Sequence, residues 1–325
     1  MVVNEGCFCL KYLLVVGLFI GSLWINNQVF ADYSTAAKYI SIFYMILQSI
    51  ILIDLFYLAG IRLVKRYDDG ESQFACYLVV LSILFLSLAV LMNILGYVFF
   101  SKAPEGCAST VWVNVITTII LIALPAIQLF RFNTQNSLLT TALVSVFISY
   151  LCFICQYSFD GGDDEECNRM HVGPFVGDIV CSTFFFILGM YGSIIGGTGQ
   201  VKVTRDGNLN ETIGVGNSHL PSDQKYGQTQ QKSGELTEEE QNEEKYTQTW
   251  DWVKWHLYMC LASVYIAMLI TNWTSADVKG EGEIITLEPS SQGFWIRLII
   301  AWATFLLYVW TMIAPRVCPS RDFQV

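Results

Sequence analysis

Residues 36–64 read AAKYISIFYMILQSIILIDLFYLAGIRLV, and this stretch decides the fold class. It is apolar apart from isolated polar residues and contains no proline, so it predicts one continuous helix. Roughly 29 residues at 1.5 Å per residue make a helix about 44 Å long, whereas the hydrocarbon core of a bilayer is about 30 Å thick. The sequence therefore predicts a membrane helix that crosses the bilayer obliquely or projects beyond it.

One apolar segment precedes this helix and six follow it. The predicted spans cover residues 10–27, 36–64, 75–100, 111–130, 138–157, 172–197, 253–273 and 294–314. A helix of about 20 apolar residues crosses a bilayer, and the chain as a whole is 54% hydrophobic and only 14% charged. We therefore predict an all-α, polytopic transmembrane helix bundle with about eight spans, one of them the long oblique helix.

The spans divide the chain into three parts. Residues 1–197 hold the first six transmembrane segments, and residues 251–325 hold the last two and a short tail. Between them, residues 198–250 are rich in Gly, Asn, Gln, Ser, Thr and acidic residues and offer few aliphatic side chains for burial. Such a composition is typical of a disordered linker.

Basic residues in the short loops predict the orientation. Short loops that carry Lys and Arg stay cytoplasmic, and Lys65, Arg131 and Arg316 all follow spans on one side of the predicted bundle. We expect both termini and the acidic linker in the cytosol of an endomembrane or plasma membrane.

The first segment has a second interpretation. Lys11, the short apolar stretch after it and the sequence Val29-Phe30-Ala31 resemble a cleavable signal peptide. Cleavage would leave seven spans and an outside N-terminus, which is the topology of a seven-helix receptor.

Composition and motifs argue against several classes of function. The net charge is −10 and no basic face is present, so nucleic acid is not an expected partner. The sequence has no P-loop, nucleophile elbow, metalloprotease helix or dinucleotide fingerprint. We therefore expect neither an enzyme nor a bound cofactor or metal.

Asp54 interrupts the apolar run of the long helix. A carboxylate at membrane depth is unfavourable by several kcal/mol unless it faces a partner or water. Asp54 is therefore the leading functional candidate, and the alternative is a structural role near the cytoplasmic end of its helix, paired with a cation or protonated.

Two further charged residues lie inside predicted spans, Asp178 near the start of the sixth and Arg297 near the start of the last. Both positions belong to the non-cytoplasmic end of the predicted bundle. The two side chains form an intramembrane ion pair if their helices touch, whereas Arg297 alone would snorkel to the headgroups.

Cys107 and Cys167 fall in two loops on the same non-cytoplasmic side. An oxidising compartment would permit a disulfide between them. We predict this bridge as the one candidate cross-link.

Two strings near the C-terminus resemble the serine incorporator (SERINC/TMS) family. LASVYIAMLITNW at residues 261–273 is similar to that family's penultimate span, and LLYVWTMIAP at residues 306–315 is similar to its last. Further matches lie in the family's order at residues 52–54, 104–107, 124–125 and 136–139. The resemblance covers essentially the whole chain, starting at what resembles the family's third span, so it implies that the first two spans are missing here.

The resemblance implies two helix bundles joined by a long oblique helix, which agrees with the length of residues 36–64. It also implies a function in lipids, either promoting serine incorporation into phosphatidylserine and sphingolipids or scrambling phospholipids. We expect Gln48, Ser49 and Asp54 to line a groove for a lipid headgroup. The implied partners are membrane phospholipids and serine, with further copies of the chain or a separate chain supplying the missing spans. The alternative function is a non-catalytic scaffold that recruits partners through the acidic linker.

Overall fold

A computed structural model describes residues 8–25, 27–100, 108–129, 137–157, 173–197, 238–271, 273, 275–279, 284–288 and 292–317. The helices in these ranges are α1 (Phe8–Ser22), α2 (Asn27–Asp68), α3 (Gln73–Phe100), α4 (Ala108–Leu129), α5 (Leu138–Tyr157), α6 (Gly173–Gly197), α7 (Glu238–Ile270) and α8 (Gln292–Val317). Seven helices of this described part are long and apolar enough to cross a membrane. The prediction of a multi-pass helical membrane protein is confirmed.

The long oblique helix is α2, which contains 42 residues and is therefore about 63 Å long. It begins nine residues before the predicted start at residue 36. Residues 27–35 contain neither Gly nor Pro, so nothing local stops the helix there. Because α2 is about twice as long as the hydrocarbon core is thick, it tilts or extends past the membrane.

Helix α2 joins two groups of helices. It packs against α3 and α5 and also against α6 and α7, while α8 contacts both α2 and α5. Most of α5 is buried, because α3, α4 and α8 also pack around it. The core lies along α5 and along the inner face of α2.

Two elements differ from the predicted segments. Helix α1 has 15 residues, fewer than a full span needs, and its large apolar side chains are exposed along its length. Helix α7 begins at Glu238, so residues 238–250 of the predicted linker are helical. Residues 198–237 lie outside the described residues.

A short hairpin joins α7 to α8, where a loop was predicted. Strand β1 (Ser275–Lys279) pairs antiparallel with β2 (Ile284–Glu288), with Ser275 opposite Glu288. Four residues, two of them Gly, separate the strands, and a short Gly-containing connection is a recognised hairpin signal. Strand β1 lies against α2.

Candidate functional site

The helices bring Asp178 of α6 and Arg297 of α8 together inside the bundle. Arg297 Nη2 lies 2.7 Å from Asp178 Oδ2, and the two residues are 2% and 3% exposed. A second guanidinium nitrogen, Nη1, donates to the Ile154 carbonyl of α5 at 3.3 Å. The predicted contact between the two charges is therefore present, and Arg297 points inward instead of snorkelling.

Hydroxyl groups surround the other oxygen of the Asp178 carboxylate. Tyr150 of α5 donates to Asp178 Oδ1 at 2.8 Å, and Ser182 Oγ lies 3.0 Å from the same oxygen. The Tyr150 and Ser182 hydroxyls are 2.5 Å apart, and Tyr265 of α7 donates to Ser182 at 3.4 Å. The Asp178 carboxylate therefore accepts hydrogen bonds from a hydroxyl of α5 and a hydroxyl of α6 as well as from Arg297 of α8, as a buried polar group requires.

The Trp273 ring lies beside the Arg297 guanidinium. The Arg297 guanidinium carbon lies 5.8 Å from the centre of the Trp273 ring, within the range of a cation–π contact. Trp273 is 1% exposed and adopts a φ of 59° three residues after the end of α7, and its backbone N–H donates to the Met268 carbonyl at 3.0 Å. We call Tyr150, Asp178, Ser182, Trp273 and Arg297 the buried polar centre.

Tyrosines continue from this centre along α7. The Tyr265 ring stacks on Tyr44 of α2 at a centroid distance of 4.8 Å, and the Tyr44 and Tyr258 hydroxyls lie 3.1 Å apart. A Cβ placed on Gly189 of α6 would come within 2.6 Å of the Tyr258 hydroxyl and 3.6 Å of Gln48 Cγ. Gln48 is therefore packed at the α2–α6–α7 junction.

Gln48, Ser49 and Asp54 do not line one groove. Gln48 and Ser49 are buried, and Ser49 Oγ lies 3.0 Å from Thr304 Oγ1 of α8, whereas Asp54 is exposed. At 3.6 residues per turn, Asp54 points about 120° away from Gln48 and about 140° away from Ser49. The prediction of a shared groove is corrected, because two of the side chains serve helix packing and the third faces outward.

Asp54 belongs to an outward-facing stripe of α2. The stripe recurs every three or four residues, which places its members on one helix face; it contains Asp32, Ala36, Tyr39, Phe43, Leu47, Ile50, Asp54, Leu58, Ile61 and Lys65. Its members are exposed or partly exposed. Among the described residues, none forms a hydrogen bond or ion pair with the Asp54 carboxylate. Asp54 is therefore a carboxylate with apolar neighbours on both sides along this stripe.

Cys107 and Cys167 lie outside the described residues, and their disulfide stays a prediction.

The polar partners that sequence reasoning missed are Tyr150, Ser182 and Trp273. In the sequence, each of them is a side chain with one polar group in or next to an apolar segment. Many Ser and Tyr residues that only pack between helices look the same, so this feature does not single them out.

Comparison with known proteins finds the same family along nearly the whole chain. A family model described as Serine incorporator matches residues 1–321. Serine incorporator 3 of Bos taurus is 24% identical over 370 residues, which cover 99% of this chain and 73% of the relative. Membrane protein TMS1 of Saccharomyces cerevisiae is 26% identical over 369 residues, which cover 99% of this chain and 75% of that relative. The family match includes the residues that a signal peptidase would remove, so it does not support the seven-helix receptor alternative.

Proposed function

Because this chain belongs to the serine incorporator family, we propose that it handles phospholipids by letting their headgroups pass along the outward face of α2. Its relatives are named for serine incorporation, and we extend that role to this chain as delivery of serine or of serine-containing lipid. In this proposal the protein is a carrier and not a catalyst. Its termini face the cytosol, as the basic loops predict.

The observation that carries the proposal is the exposure of Asp54. Along the helix axis, Asp54 is about 21 Å from the end of α2 at Asp68 and about 40 Å from its start at Asn27. It lies between apolar residues on a face that the described helices leave open. A carboxylate in this position needs water or a cationic partner, and the ammonium group of a phospholipid headgroup is such a partner.

A fluorescent-lipid scrambling assay on the purified full chain in liposomes tests the proposal. We expect wild type to move lipid between leaflets faster than protein-free vesicles. Asp54→Leu and Asp54→Asn should slow the rate about tenfold or more, which corresponds to about 1.4 kcal/mol at the barrier. The Leu variant removes the polar group, and the Asn variant removes only the charge.

Asp32→Asn is the matched control, because Asp32 is an exposed carboxylate on the same stripe near the start of α2. It should scramble at the wild-type rate. Equal rates for wild type and both Asp54 variants would refute a role for Asp54. A wild-type rate equal to that of empty vesicles would refute scrambling by this chain.

A further inference from the structure

We infer that the buried polar centre is a latch, and that the bundle also adopts an open arrangement in which α6 and α7 separate from α5 and α8. In the closed arrangement, Arg297 Nη2 lies 2.7 Å from Asp178 Oδ2 and joins the two sides. In the open arrangement, water enters between them and hydrates both charges. This inference goes beyond the proposed function, which requires only the outward face of α2.

The packing of the helices is the first argument. Helices α3, α4 and α8 pack around α5, whereas α6 and α7 pack against each other, and both groups lie against α2. Direct contact between the two groups is slight, and among the described elements α5 meets α6 along a short stretch. Two groups that share one long helix and little other contact are built to move relative to each other as rigid bodies.

The chemistry of this short stretch is the second argument. We call it the seam, and it consists of Phe147 and Tyr150 of α5 facing Asp178, Ser182 and Phe185 of α6. The Tyr150 hydroxyl lies 2.8 Å from Asp178 Oδ1 and is hydrogen-bonded to Ser182. The Phe185 ring packs against the Phe147 and Tyr150 rings at centroid distances of 4.9 Å and 5.1 Å. Polar contacts and the ion pair to α8 therefore make up much of what closes the seam.

Water replaces polar contacts when a seam opens, whereas it does not replace apolar packing. Burial removes hydration from Asp178 and Arg297, and this penalty offsets much of their mutual attraction. Opening the seam to water returns the hydration to both charges. The ion pair is therefore suited to a contact that forms and breaks, and the best-attested use of buried polar groups is to select one arrangement over another.

Trp273 is the third argument, because it carries two costs in the closed arrangement. Its indole Nε1 is buried without a hydrogen-bond acceptor in the part of the chain that the structure describes, and buried donors without acceptors require an explanation. Its φ of 59° is a left-handed conformation, which is unfavourable for a bulky residue and recurs in switch regions. Since the ring lies beside the Arg297 guanidinium, water that reaches the latch also supplies an acceptor to the indole.

The accessibility of a thiol in the seam measures the opening. Ile154→Cys places a thiol on α5 about 40° around the helix from Tyr150, and Ile148→Cys places one about 160° away, on the opposite face. Both isoleucines are buried, with 4% and 0% of their surface exposed. The full chain in nanodiscs is treated with a charged maleimide that does not enter the bilayer, and mass spectrometry measures the labelling rate at each position.

The labelling rate at position 154 should follow the strength of the latch. In the otherwise unchanged chain, we expect slow labelling at position 154 and none at position 148. Asp178→Asn removes one charge and should raise the rate at position 154 at least about tenfold, because losing one partner of a buried ion pair strongly destabilises the closed contact. Asp178→Leu/Arg297→Met replaces the latch with apolar side chains and should lower the rate below that of the unchanged chain.

Thr141→Val is the matched control. The Thr141 and Tyr308 hydroxyls lie 2.9 Å apart and join α5 to α8 within one helix group, so losing this bond should leave the rate at position 154 unchanged. If Asp178→Asn is labelled equally at positions 148 and 154, that variant has unfolded, and the double variant then decides the outcome.

Three results overturn the inference. The first is no labelling at position 154 in the otherwise unchanged chain. The second is a rate that the folded latch variants leave unchanged, and the third is a rate that Thr141→Val raises as much as Asp178→Asn does. Asp54-dependent scrambling in the same preparations tests the proposed function separately, so either one stands when the other fails.

Discussion

Asp178 has two kinds of partner, the Arg297 guanidinium across the bundle and the hydroxyl groups of Tyr150 and Ser182. The two kinds of partner differ in whether their loss leaves a buried charge unpaired. Losing a hydroxyl leaves a carboxylate that is still paired with a cation. Losing Arg297 or Asp178 leaves an unpaired charge among residues that are only 2–3% exposed.

This difference predicts an asymmetric response to mutation. Asp178→Ala should destabilise the protein by about 3–5 kcal/mol, because Arg297 stays buried without its carboxylate. The double variant Asp178→Leu/Arg297→Met removes both charges and should recover much of that loss. Both changes are measured as shifts in the apparent Tm in detergent. The apparent Tm is the temperature at which the monodisperse peak in size-exclusion chromatography is lost. A double variant no more stable than Asp178→Ala would contradict this account of the pair.

Sequence predicted the Asp178–Arg297 contact only conditionally. Charged residues near the same end of two spans are visible in the sequence, but the contact depends on which helices are neighbours in the bundle. Periodicity does not provide that information, since α6 and α8 are apolar on most sides. The same limit explains Asp54, because its burial depends on which face of α2 the other helices cover.

At the scale of elements, small residues set the distance between α6 and α2. A Cβ on Gly192 would lie 2.8 Å from Ile51 Cγ2 and 3.5 Å from the Ile51 carbonyl oxygen. Close approach of backbones at glycine is a common way for membrane helices to pack. The sequence shows that α6 contains several glycines, but it does not show which helix packs against them.

Replacing Gly192 should therefore separate these two helices. We expect Gly192→Leu to lower stability by about 1–3 kcal/mol through overpacking and to lower the apparent Tm in detergent. Gly177→Leu is the matched control, because Gly177 is on the same helix and a Cβ there meets nothing within 4 Å. Equal losses of apparent Tm in the two variants would show that helix propensity, and not the α2–α6 contact, determines the effect.

At the scale of the whole molecule, the first helix after the predicted acidic linker extends into that linker. Helix α7 begins at Glu238, well before its apolar span at Val253–Ile270. The apolar pattern identified the span, whereas the polar start of α7 carries no such pattern and was assigned to the linker. A deletion that tests the linker alone must therefore end at residue 237.

Deleting residues 206–237 distinguishes lipid handling from the scaffold alternative. The deletion leaves every described helix and strand intact, so lipid movement along α2 should stay within about twofold of wild type, less than 0.5 kcal/mol at the barrier. Recruitment of cytosolic proteins that depends on residues 206–237 would be lost, as measured by co-purification before and after the deletion, whereas the acidic run at residues 238–244 stays in place. A longer deletion of residues 206–250 also removes the polar start of α7 and shows whether that helical part contributes. Loss of scrambling on deleting residues 206–237 would place the linker in the lipid path and contradict the proposal that the outward face of α2 suffices.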